Sequence, residues 1–67
     1  MEAEMTTLAV TKTDRGIYRI TYDGRIMGDD KGFSSLAECE AEIDKRIAID
    51  ARDAIRYDRP ILLTKAV

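Results

Sequence analysis

One thiol and no imidazole set the reactive inventory of this chain: Cys39 is its single cysteine, and histidine is absent. Histidine is the commonest general base near neutral pH and the commonest transition-metal ligand. Without it, neither a Ser–His nor a Cys–His pair can activate a nucleophile. A reactive thiolate needs an electropositive, partly open site. Cys39 instead has Glu38, Glu40 and Glu42 as sequence neighbours, and negative charge raises a thiol pKa. We therefore expect Cys39 to be a small core residue.

The remaining candidates for chemistry are carboxylates and glycines. Asp23, Asp29 and Asp30 are close enough in sequence to gather at one end of a hairpin, and hard cations favour such oxygen clusters. Their spacing matches no calcium loop, and aspartate is common in turns for local reasons. Gly24, Gly28 and Gly32 recur every fourth residue, but no basic residue and helix start follow as in a phosphate loop. They read as turn glycines. The expectation is a chain with no catalytic residue, metal or cofactor.

Charge is distributed more tellingly. Residues 1–44 hold ten acidic and five basic residues, and residues 45–67 hold three acidic and six basic, so the halves carry −5 and +3. Glu38, Glu40, Glu42 and Asp44 precede Lys45, Arg46, Arg52 and Arg56. This gradient complements a helix macrodipole, and Glu42 before Arg46 is a favourable i, i+4 pair. The same gradient would also serve as a dipolar recognition surface. Ile49 lies among Glu42, Lys45, Arg52 and Asp53 on a helical projection, opposite the apolar stripe. A lone exposed Ile is ordinary, yet an apolar centre ringed by charge is also common interface anatomy. Asp29, Asp30, Glu38, Glu42, Lys45, Ile49 and Arg52 are the candidate partner-binding residues.

Those residues need a scaffold. Thr6–Thr13 is β-branched and weakly alternating, a first strand with Leu8 and Val10 on one face. Asp14-Arg15-Gly16 makes a turn, and Ile17–Tyr22 a second strand with Tyr18, Ile20 and Tyr22 on one face. Asp23-Gly24 is the strongest short hairpin signal, because both central residues of a type I′ turn need φ > 0. Arg25, Ile26 and Met27 start a third strand. Ser35 and Glu38 form a capping box for a helix running to Arg56 or Tyr57, with Pro60 beyond it. Leu36, Cys39, Ile43, Ile47, Ala51 and Ala54 form its apolar stripe, with Ile55 at the edge. Asp50 falls on the same stripe, a local conflict that suggests a kink or a solvent gap. Ile61–Val67 is a fourth strand, returning parallel by a right-handed crossover. The predicted fold is α+β: a three-stranded antiparallel meander, one helix on one face, and a C-terminal fourth strand (β-β-β-α-β). Thr7, Thr11, Arg19, Thr21, Arg25 and Met27 are expected on the open face of the sheet.

Sixty-seven residues make one domain, with residues 1–4 expected to be frayed. A chain this short buries only about 60% of its unfolded surface, and its core supplies roughly 3–5 kcal/mol. Charged residues are 36% and hydrophobic ones 45%, a globular balance. The net charge of −2 is too mild to argue for nucleic acid or membrane. One cysteine permits no internal disulfide. The acidic start and the lack of a membrane-length apolar run point to the cytoplasm. The small core leaves a homodimer open.

The run Ile17–Gly28, followed by Phe33-Ser34-Ser35-Leu36-Ala37-Glu38, resembles a theme of very short phage and mobile-element proteins: a hairpin, a Phe-Ser-Ser-Leu helix start and an acidic helix. It also resembles the three-strand-plus-helix arm domains of phage integrases, which bind DNA through the sheet. The chain departs from those in its low basic content and added C-terminal strand. In size, acidity and freedom from catalytic residues it is similar to anti-CRISPR proteins. That resemblance implies a phage-encoded inhibitor in the host-cell cytoplasm, blocking a basic, nucleic-acid-binding surface of a larger protein or ribonucleoprotein complex. Two alternatives stay open. One is a small nucleic-acid-binding module using Arg15, Arg19, Arg25 and the basic helix end. The other is a homodimeric accessory protein paired through Ile61–Val67 or Ile49.

Overall fold

The computed structural model describes residues 5–28 and 31–66. Strands β1 (Thr6–Lys12), β2 (Tyr18–Tyr22) and β3 (Arg25–Ile26) precede helix α1 (Leu36–Arg56) and strand β4 (Leu63–Lys65). The sheet order is β3-β2-β1-β4, with β4 parallel to β1 and the other pairs antiparallel. The α+β architecture is thus the predicted one. Individual strands are shorter than expected: β3 stops before Met27, and β4 occupies only the middle of Ile61–Val67. Val67 itself lies outside the described residues, as do residues 1–4.

Two turns hold the meander. Gly16 takes φ +77° after β1, where Thr13 N–H donates to Ile17 O (2.8 Å) and Gly16 N–H to Thr13 O (2.9 Å). Asp23 and Gly24 take φ +52° and +86°, the left-handed pair that a type I′ turn requires. Asp23 does more than turn the chain. Its carboxylate accepts from Thr7 N–H (2.8 Å), and its own N–H donates to Thr7 O (2.9 Å), which fixes the start of β1. Beyond β3 the chain returns to β2 at an isolated bridge, Tyr18 with Phe33, which the sequence reading did not anticipate.

Ser35 caps α1 by accepting from Glu38 N–H (3.1 Å). The Glu38 carboxylate accepts from the Ser34 hydroxyl (3.2 Å), so the serine before the cap joins the motif. At the other end Asp58 N–H donates to Ile55 O and Arg59 N–H to Ala54 O, a Schellman arrangement. Its left-handed position, φ +50°, is filled by Asp58 rather than glycine.

The core is Leu8, Ile20, Cys39 and Ile43, all essentially fully buried, with Val10, Tyr18, Tyr22, Phe33, Ile47 and Leu63 around them. The predicted helix stripe needs two corrections. Leu36, the first residue of α1, is exposed; Ile55, placed at the stripe edge, is 86% exposed. Asp50, in contrast, is buried within an unbroken helix.

Candidate functional site

Asp50 explains how the helix and β4 are joined. Its Oδ2 accepts from Leu62 N–H (2.9 Å) and Leu63 N–H (3.0 Å), and its Oδ1 from Arg59 Nη1 (2.9 Å). Burial is the strongest single influence on this carboxyl and opposes its charge. The Leu63 and Leu62 amides and the Arg59 guanidinium together outweigh it, so the pKa sits below the usual carboxylate value. A buried carboxylate saturated in this way is a structural clamp. It also occupies two N–H groups at the start of an edge strand, which hinders strand addition there.

Cys39 is completely buried. Its thiol pKa is raised, first by desolvation and less by Glu40, while Arg46 acts in the lowering direction. Burial therefore matters more than the flanking carboxylates emphasised by the sequence. Among the described residues, no group of three or more His, Cys, Asp or Glu side chains could hold a metal ion. Nor, among the described residues, is any helix long and apolar enough to cross a membrane.

The open sheet face is less basic than predicted. Arg25 stands directly opposite Tyr22, and directly paired residues share a face, so Arg25 lies on the helix side. Arg19 does lie on the open face, where its Nη2 donates to Met27 O (2.8 Å). Thr21 is buried there, its hydroxyl donating to Ala9 O (3.3 Å). Tyr18 and Tyr22 pack against the core as expected. The open face thus presents neither aromatic platform that stacking on bases would use.

The five described candidate residues fall together. At 100° per residue, Glu38, Glu42, Lys45, Ile49 and Arg52 occupy a sector of about 80° on α1. Their 4-3-4-3 spacing makes one continuous ridge, centred about 130° around the helix from the buried face formed by Cys39, Ile43, Asp50 and Ala54, with Glu42 on the side nearest that face. Arg56 continues the ridge by the same spacing, and the sequence reading left it out. Glu38, Lys45, Ile49, Arg52 and Arg56 are exposed, and Glu42 is half-buried. Ile49 is 40% exposed and lines a shallow dent with Lys45, Ala48 and Arg52. Asp29 and Asp30 lie outside the described residues.

No family model, characterised protein or solved structure matches the chain. The ridge must therefore be judged on its own chemistry.

Glu42 is the ridge residue most tied to the body of the protein. It pairs with Arg46 (2.9 Å), whose Nη1 donates to the Tyr22 hydroxyl, and the Arg46 guanidinium lies 6.0 Å from the Tyr22 ring centre. This chain of contacts links the ridge to β2. Sequence spacing exposed the Glu42–Arg46 pair but not its tyrosine anchor, which depends on how α1 crosses the sheet. A second surface runs between α1 and β4. It is a groove of about 430 Å³ floored by Ile47, Ala51, Ile61 and Leu63, with Lys65 bonded to Asp44 (3.0 Å) at its rim. That bond is the main reason the Lys65 pKa is raised. Ile47, which also packs against the core, and Ala51 on the same helix stripe line this groove.

Proposed function

We propose that this chain is a non-catalytic binding protein that acts by contact through the α1 ridge. The observation that carries the reading is the alignment of Glu38, Glu42, Lys45, Ile49 and Arg52 on the helix face turned away from the core. A residue set lying outside the buried core, with one apolar centre and a charged surround, has the composition of a contact patch. The buried thiol and the absence of histidine favour contact over catalysis.

The acidic half of the ridge sets the kind of partner. Glu38 and Glu42 would face a basic, nucleic-acid-binding surface on a larger protein or ribonucleoprotein complex, excluding its nucleic acid by occupancy and charge. Such an inhibitor, of the phage-encoded anti-CRISPR type that the sequence resembles, would work in the host-cell cytoplasm. The test is affinity capture from host lysate with tagged wild-type chain and the Glu38→Lys, Glu42→Lys double variant. Basic nucleic-acid-binding proteins retained by the wild type should be lost by the variant, and released from the wild type by raised salt. Undiminished capture by a folded double variant would refute the ridge as the binding surface.

A further inference from the structure

The charge order along the ridge is complementary to itself. If a second α1 is laid antiparallel on the first, with the pair centred at the level of Ile47, Glu38 faces Arg56 of the second copy. Glu42 then faces Arg52, and Lys45 faces Ile49. A two-fold axis repeats every contact, giving four acid–base pairs around a centre of two isoleucines and two lysine stems. Ala48, beside Ile49 in the shallow dent, is small enough to let a facing helix approach closely. A parallel pairing would set Glu38 on Glu38, Glu42 on Glu42 and Arg52 on Arg52, so charge selects the antiparallel one.

From this complementarity we infer that the ridge is occupied, in the absence of another partner, by a second copy of the chain. The pairing is a two-fold, antiparallel, helix-to-helix dimer. The sheet edges are poor competitors for self-association. β3 has only two residues, and β4 is a three-residue edge that begins at the Asp50 clamp and ends in Lys65. The ridge spans one helix of 21 residues, or about 31 Å, so the interface is small and the dimer belongs to the weak, reversible class. Such a dimer would mask the acidic residues until a more basic surface competes for them.

The inference rests on reading the ridge as a contact surface, and a charge swap tests it. Sedimentation equilibrium of the full chain, at low salt and from about 10 to 500 μM, measures the association constant. Wild type, Glu42→Arg, Arg52→Glu and the double swap are compared, with circular dichroism confirming the fold of each. Glu42→Arg also disturbs the Arg46 pair, and Arg52→Glu supplies a variant away from it. The wild type should dimerise in this range. Each single change should weaken association by at least about tenfold, because a repulsive pair arises twice by symmetry. The double swap restores opposite charges across the axis and should recover association to within about threefold of wild type. A wild type that stays monomeric throughout, single variants that dimerise as well as wild type, or a double swap no better than the singles would each overturn the dimer. The partner reading is judged separately, by capture: a monomeric chain whose capture still depends on Glu38 and Glu42 ends the dimer and keeps the ridge.

Discussion

Removing the charge at Asp50 should change how the fold meets acid. Its pKa is lower folded than unfolded, so its contribution is present above the unfolded carboxylate pKa and fades as pH falls through the folded value. Asp50→Asn keeps the size but gives Arg59 no charge to pair with, and one of its two acceptor oxygens becomes a donor. Thermal melts from neutral pH to about pH 2 should show a lower midpoint for the variant at neutral pH and a flatter acid limb, the two curves converging at the acid end. Parallel curves would mean that the carboxylate is not the clamp. This residue was visible in the sequence as a misfit on an apolar stripe. Its partners were not, because two are backbone amides twelve and thirteen positions away, and amides leave no mark in composition. A buried acid inside a helix stripe calls for donors, and here three are found.

At the scale of elements, local chemistry was legible wherever a few adjacent residues decide it. Asp23-Gly24 turns the chain and Ser35 caps the helix, as their types require. The helix end was legible only in part: Pro60 limits its length, but the left-handed Asp58 is a tertiary compromise. Glycine takes that conformation with less strain than any other residue. Asp58→Gly should therefore stabilise the fold by about 0.5–1 kcal/mol and raise the melting midpoint by a few degrees. A lower midpoint would show that the Asp58 side chain contributes more than the strain costs. The face of Arg25 was misjudged because one residue of register decides which side a strand residue takes. The ridge itself was almost fully readable, since 4-3 spacing needs no knowledge of the sheet. Arg56 figures in the sequence only as part of the charge gradient, and its place on the ridge follows from the 4-3 spacing.

At the scale of the whole molecule, four side chains are fully buried among the described residues, and Ile43 is the helix's largest contribution to them. Ile43→Ala should cost about 2–5 kcal/mol, comparable with the entire stability expected of so small a core. Denaturant titration should therefore find that variant largely unfolded at 37 °C, and a loss below about 1 kcal/mol would mean the core is repacked around a smaller side chain. The ridge lies outside this core, so the proposed contact role can be tested apart from stability. A change at Ile49 should leave the fold alone and alter what the molecule touches.

Capture of protein from a cell lysate by Ile49→Asp, read beside its melting midpoint, therefore tests the contact account most directly. We predict a midpoint close to wild type and a loss of the proteins that the wild type retains, since a charge replaces the apolar centre of the ridge. Capture equal to wild type, by a chain that melts as wild type does, would contradict the account.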